Sequence, residues 1–326
     1  MFHFSNNLEV LLLDRKKIWQ QLNHFQSANF TQNYLKSCYK NIPDEGDYSK
    51  CGYDNCFPFI YYLDHGKLYY DQASIAPLAI KPVLLFYGLV HLIKACLLTV
   101  DPYYPETTSV LAHGVTSRKK KKQQYQFIYD EVKIQKLGLF THFSKQMFHV
   151  KHLEGEKFIM KDLLMQLPEM DSCFEFFHNT NMIYLHRNGN KYTIPYNVLD
   201  YYHRTLESFK EYIETKSVSP VQWLEEENHH ISFISEKELS LPFRYHVEKN
   251  LYCLPIVKGH LGMIPELIIY YLLLYNLSMI ARYETEWWSE LIKTTPTNDY
   301  PLINQFLSLA FNKSPYLVYH YLLSQK

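Results

Sequence analysis

The amino-acid sequence predicts a mainly α (α+β) protein, a helical bundle built from both ends of the chain around a small mixed α/β insert. Three observations support this. Two long, nearly uninterrupted apolar stretches, Pro82–Val100 and Ile264–Ala281, lie far apart in the chain and are each long enough for a buried helix. Apolar residues near the start, among them Leu8, Leu11, Leu12, Ile18, Trp19 and Leu22, recur at helical spacing. Between the ends, the runs MIYLH and KYTIPY flank Arg187-Asn188-Gly189-Asn190, and Asn-Gly supplies the positive φ angles of a tight hairpin turn.

In order, residues 7–40 are predicted to be helix-rich and Asn41–Cys56, with its Pro, Gly, Asp and Asn residues, to be a loop. Phe57–Ala73 reads as a helix or a hairpin about His65-Gly66, and helix is favoured because Leu63, Lys67, Tyr70 and Ser74 keep three- to four-residue spacing. The first long helix is expected from about Pro77, a position tolerated in a helix's first turn, with Pro82 restarting or kinking it. It should end before Asp101-Pro102, since a pre-proline residue resists helical geometry. A loop over Tyr103–Gln124 follows. After the 182–196 hairpin, Asn197–Glu214 reads as one amphipathic helix with Val198, Tyr201, Leu206, Phe209 and Ile213 on one face. Short strands are expected at Ile231–Ile234 and Leu251–Val257. A long helix is then expected from Pro265 to about Ile292, and a last one over Tyr300–Phe311. The corresponding organisation is an N-terminal helical part over 1–150, an α/β insert over 151–260, and C-terminal helices over 261–326 that pack on the N-terminal part.

Composition narrows the functional classes. The 33 Lys and Arg equal the 33 Asp and Glu, so no global field draws the chain onto nucleic acid or an anionic membrane, and any such contact needs a local patch. The 29 Tyr and 20 Phe suit both aromatic core packing and partner surfaces. The start, MFHFSNNLEVLLLDRKK, has an apolar run of only four residues between Glu9 and Asp14 and does not read as a signal peptide. Six cysteines without regular spacing read as reduced thiols of a cytoplasmic protein. Both long apolar stretches carry polar interruptions, His91 and Lys94 in one and Glu266, Asn276 and Ser278 in the other. They are therefore read as core helices rather than membrane spans.

The ten glycines form neither GxGxxG nor GxxxxGK[ST], which argues against Rossmann and P-loop nucleotide sites. GxSxG and HExxH are absent as well. No catalytic residue, metal ligand or cofactor is assigned. Cys51, Cys56 and His65 lack the second ligand pair of a structural zinc site, and no carboxylate joins His142, His149 and His152. The remaining candidates for binding a ligand or partner are cationic. Arg118, Lys119 and Lys120 open the one basic run. His113 sits in a loop after the first long helix and titrates near neutrality. Arg282 and Tyr283 lie among aromatics near the end of the second, where arginine pairs with an acid or binds an anion. Lys94, His113 and Arg282 would form a cationic pocket between the two long helices if they converged.

The segment SIAPLAIKPVLLFYGLVHLIKACLLTVDPYYPETTSVLAHGVTSRKKKKQ and the later LPIVKGHLGMIPELIIYYLLLYNLSMIARYETEWW resemble the bacterial YaaC-like family. That resemblance implies a cytoplasmic bacterial protein whose gene commonly neighbours that of IMP dehydrogenase, and so a link to purine metabolism. The same blocks are similar to distant HEPN-like helical domains. Nucleases of that class carry His four to six residues after Arg, and no arginine here does. The favoured expectation is a non-catalytic interaction or regulatory protein, with a protein partner such as IMP dehydrogenase, homodimerisation through aromatic helices, and no membrane contact. The competing expectation is a nucleotide- or RNA-binding protein or enzyme that uses the cationic pocket.

Overall fold

The computed structural model describes residues 15–40, 42, 47–118, 125–151, 153–177, 180–225, 229–256, 263–295 and 297–325. Chain contacts divide it into two compact units, one of residues 1–160 with 266–326 and one of residues 161–265. The protein is mainly α with small antiparallel sheets, as expected.

In the first unit, α1 (Arg15–Leu22) and α2 (Ala28–Tyr39) precede the 28-residue α3 (Tyr48–Ile75) and the 20-residue α4 (Lys81–Val100). Leu8, Leu11 and Leu12 lie outside the described residues. The expected loop up to Cys56 is corrected, because α3 starts at Tyr48, where the Asp47 carboxylate accepts from the Ser49 and Lys50 amides. Gly52 brings α3 against α2, since a Cβ there would stand 3.1 Å from the Gln32 carbonyl oxygen. Close packing of this kind outweighs the low helix propensity of Asp, Asn and Gly.

α4 begins at Lys81 rather than Pro77, with Pro82 in its first turn. Proline's missing N–H costs nothing there. Among the described residues, α4 alone has the length and hydropathy of a membrane span, and most of its side chains are buried within the unit. The expected loop after it contains β1 (Val115–Arg118), which pairs antiparallel with β2 (Glu131–Ile134). α5 (Leu139–Phe148) and β3 (Lys157–Ile159) follow, and β3 completes a sheet of order β1-β2-β3.

The C-terminal helices close the unit on α4. The expected helix to Ile292 is interrupted, with α10 (Glu266–Tyr283) ending one residue before Glu284 and α11 (Thr285–Thr294) starting afresh. The last helix, α12 (Asp299–Ser324), runs thirteen residues past its expected end and through Pro315. Lys313, buried and paired with Glu266 at 2.8 Å, ties this second half of α12 to α10. The Asp299 carboxylate accepts from the Phe127 amide at 2.8 Å.

The second unit contains α6 (Met160–Leu164, from Lys161 onward), α7 (Asp171–Phe176), and two sheets. One has the order β4-β10-β9, from β4 (Met182–Tyr184), β10 (Leu251–Pro255) and β9 (Arg244–His246). The other has the order β5-β6-β8-β7, from β5 (His186–Asn188), β6 (Lys191–Pro195), β8 (His230–Ile234) and β7 (Gln222–Trp223). The hairpin forms as expected at Gly189, whose φ is +63°. Its first run is divided, however, since Met182–Tyr184 pairs with β10. The expected helix over 197–214 is two, α8 (Val198–Tyr202) and α9 (Leu206–Lys216), separated by His203 at φ +51° and recapped by Thr205. Ile194, Phe209, Ile213, Ile231 and Phe233 form the centre of this unit's core. Val257 lies outside the described residues.

Candidate anion-binding site

On a helix, residues three, four and seven apart share a face. Tyr87, His91 and Lys94 are so placed on α4, and Tyr62, His65 and Tyr69 on the neighbouring α3. Two glycines let these faces meet. A Cβ on Gly66 would stand 2.6 Å from Leu92 Cδ2, and one on Gly88 would stand 2.8 Å from the Tyr70 ring. The rings consequently interleave. Tyr69 stacks on His91 at 5.5 Å and 18° and on Tyr87 at 6.1 Å and 28°, while His65 lies 5.3 Å from His91. Lys94 Nζ sits over the Tyr62 ring, 5.6 Å from its centroid, within cation–π range.

His113 reaches this group from the loop before β1. The Leu139 amide donates to the Ala112 carbonyl at 2.7 Å, and the Phe140 amide and Tyr271 hydroxyl donate to the His113 carbonyl at 3.1 and 2.8 Å. Gly114 and Gly138, at φ +77° and +133°, make this clasp sterically feasible, because a Cβ on Gly138 would lie 2.3 Å from Gly114 Cα. The imidazole of His113 contacts Phe86, Tyr275 and Tyr87 edge-on, with centroids 5.1, 5.7 and 6.1 Å away. Arg282, in the last turn of α10, donates from Nε to the Ser278 carbonyl at 3.1 Å and from Nη1 to the Tyr87 hydroxyl at 3.4 Å.

Arg282 and His113 both meet Tyr87, at its hydroxyl and at its ring, whereas Lys94 stands over Tyr62. Burial, then the charges of Arg282 and Lys94, hold the His113 imidazole below its ordinary value. Burial, then Lys94 and His65, push His91 down to about 4. Burial alone lowers the Lys94 ammonium. Each effect disfavours the cationic form, and Lys94 acts on both histidines. Among the described residues, His91 Nδ1 has no hydrogen-bond partner, and neither has the hydroxyl of Tyr104, a side chain only 5% exposed that stacks on His142. The neighbouring carboxylate, Asp101, is engaged by His142 Nε2 at 2.7 Å.

The other sequence-derived candidates are placed differently. Tyr283 is exposed, and its ring lies 5.1 Å from the Arg282 guanidinium carbon. Arg118 is exposed on β1 opposite Glu131, and among the described residues no hydrogen bond or ring contact links it to the cluster. Lys119 and Lys120 lie outside the described residues. Cys56 donates its thiol to the Ala28 carbonyl at 3.4 Å. Among the described residues, no group of three or more His, Cys, Asp or Glu could hold a metal ion. Sequence reasoning passed over Tyr87 and Tyr104, met His65 only beside an incomplete zinc set, and met His91 only as a polar interruption of the first apolar stretch. The detectable signal was His91, one helical turn before Lys94 in an otherwise apolar helix.

A group of two cations and histidines beside stacked aromatic rings, with no acid in contact among the described residues, can hold an anion. Its protonatable imidazoles can add charge when one arrives. Comparison with known proteins places the chain in a family. The family model described as YaaC-like Protein matches residues 23–322. No curated protein and no solved structure matches significantly. A match over nearly the whole chain means that the protein belongs to the YaaC-like family.

Proposed function

We propose that the protein is a cytoplasmic binding and regulatory protein whose helical unit holds a phosphate-bearing small ligand, a nucleotide in the first instance. Lys94, His91, His113 and Arg282 bind it. The observation that carries this reading is the grouping of Arg282 and His113 at Tyr87, of His91 with its unpartnered Nδ1 at Tyr69, and of Lys94 over the adjoining Tyr62, with no carboxylate bonded to any of them among the described residues. Holding a half-buried charge without a counter-charge is unfavourable by about 1 kcal/mol, since the penalty of full burial applies only in part, and a bound phosphate removes that cost. A small ligand fits better than RNA, because a chain of zero formal net charge offers no extended field to a polyanion's backbone. Titration calorimetry with nucleoside mono-, di- and triphosphates tests the reading. Binding by the wild type that is lost in Lys94→Met and Arg282→Met, with unchanged circular dichroism, is expected. Binding that is unaltered in both variants would rule it out.

A second reading, docking of a protein partner such as IMP dehydrogenase or a second copy, rests on α3. Its outer face exposes Tyr53, Phe57, Tyr61, Leu68 and Ile75, and contiguous apolar surface marks interaction sites. A regulatory link to purine metabolism is compatible with both readings. Loss of IMP dehydrogenase co-purification in a Tyr61→Glu/Leu68→Glu variant would support docking, and retention would remove α3 from it.

A further inference from the structure

We propose that the outward face of α3 receives an amphipathic helix of a partner protein, one that carries lysine or arginine beside its apolar stripe. The inference rests on the second reading above and deepens it by naming the partner's chemistry. α3 has two apolar faces, and the fold uses one of them. Cys56, Phe59, Leu63, Tyr70 and Ala73 are buried. On the opposite side Tyr53, Phe57, Tyr61, Leu68 and Ile75 follow one another at intervals of four or seven residues, and each is between 49% and 80% exposed. Residues at these intervals line up along a helix, so the stripe runs about 33 Å from Tyr53 to Ile75 at 1.5 Å per residue. The rings of Phe57 and Tyr61 stand 6.1 Å apart within it, and such aromatics are enriched at protein interfaces.

The acids on this face select the occupant. Asp54 and Asp64 each stand three residues from one of Phe57 and Tyr61 and seven from the other, and so share their side of the helix. Asp54 is exposed and Asp64 half-buried. Asp64 accepts from the neutral amide of Gln26, and among the described residues neither acid has an ion pair. Asp71, by contrast, is neutralised by Lys67. Anionic lipid and a nucleic-acid backbone are both repelled by such carboxylates. A second copy is disfavoured as well. Asp64 is the midpoint of the stripe, so two-fold pairing along its full length sets Asp64 against its own symmetry mate, and opposed like charges weaken an interface. Cations on a partner helix instead pair with both acids at the edge of the apolar contact and fix its register. Those cations belong about 15 Å apart, the rise from Asp54 to Asp64 at 1.5 Å per residue.

Two fluorescein-labelled amphipathic peptides of about six turns serve as probes, each with leucine on one face, flanked by lysine in the first and glutamate in the second. Fluorescence anisotropy with the full-length protein measures their binding, and light scattering measures the mass of the protein alone. The lysine peptide should bind about tenfold more tightly than the glutamate peptide. Asp54→Asn/Asp64→Asn should weaken the lysine peptide about fivefold, the scale of two exposed ion pairs, and should flatten its salt dependence. Tyr61→Glu/Leu68→Glu should abolish binding. Val218→Glu, at an apolar residue 90% exposed in the second unit, should leave it unchanged and so exclude non-specific adhesion. Equal binding of the two peptides, or lysine-peptide affinity untouched by Asp54→Asn/Asp64→Asn, would overturn the selection by charge while leaving α3 as a docking face. Binding that survives Tyr61→Glu/Leu68→Glu, or no binding by the lysine peptide, would overturn the docking of a helix on α3. A dimer that Tyr61→Glu/Leu68→Glu dissociates would give the face to a second copy and overturn the proposal.

Discussion

The protein handles cations set beside buried or aromatic groups in two contrasting ways. In the second unit, Lys249 Nζ donates to the Tyr184 hydroxyl at 2.8 Å and lies 3.3 Å from the buried carboxylate of Asp171. In the helical unit, Lys313 is 5% exposed and paired with Glu266 at 2.8 Å. Both lysines are neutralised within the fold. Lys94 and Arg282 share an aromatic setting with Lys249, but they face imidazoles and hydroxyls instead of acids. The difference teaches that an internal carboxylate marks a cation committed to structure, whereas its lack leaves the charge available to a ligand.

The largest expected effect should break the committed side of this comparison. Lys313→Met leaves Glu266 buried without its partner and should cost about 3–5 kcal/mol of stability, read from urea unfolding. Gly138→Ala comes next. The added methyl collides with the Gly114 backbone at a φ few L-residues adopt, so a loss of about 1–3 kcal/mol is expected. Because that clasp presents His113, ligand affinity should fall with it.

Acid should sharpen the available side. His91 titrates at about 4 in the folded chain against 6.5 ordinarily, and His113 is also lowered. The unfolded chain therefore binds more protons than the folded chain between those values, and stability falls as pH drops through that window. His91→Gln should flatten this acid limb in thermal melts recorded from about pH 7 to about pH 5. A bound phosphate favours the imidazolium, so ligand stabilisation should be greater near pH 6 than near pH 8. Lys94→Met should change stability by no more than about 1 kcal/mol, since it removes a charge that no acid balances. The smallest effect belongs to Tyr61→Glu/Leu68→Glu on the exposed face of α3, within about 0.5 kcal/mol per substitution and with ligand affinity unchanged.

Much of the fold was legible where one local signal dominates. The apolar run of α4 and the Asn188-Gly189 turn are examples. Expectations failed where tertiary contacts overrule local chemistry. Tyr48–Cys56 has a loop's composition but is helical, because Gly52 seats it on α2. The last helix was expected to end at Phe311, yet α12 continues through Pro315, with the Lys313–Glu266 pair anchoring that region. Lys94, His113 and Arg282 were legible as residue types in apolar or loop settings, but the meeting of His113 and Arg282 at Tyr87 depends on α10 returning to α4 after the whole second unit. His65 and Tyr104 carried no signal, since only the close approach of α3 and α4 and the buried Tyr104 hydroxyl give them a role.

The central claim is that the charges of Lys94 and Arg282 await an anion. Thermal unfolding of the wild type and of Lys94→Met/Arg282→Met, with and without millimolar pyrophosphate at matched ionic strength, tests it most directly. The account predicts that pyrophosphate raises the wild-type midpoint by several degrees and leaves the double variant unmoved, with the double variant at least as stable as the wild type when free. An equal shift in both proteins, or none in the wild type, would contradict it.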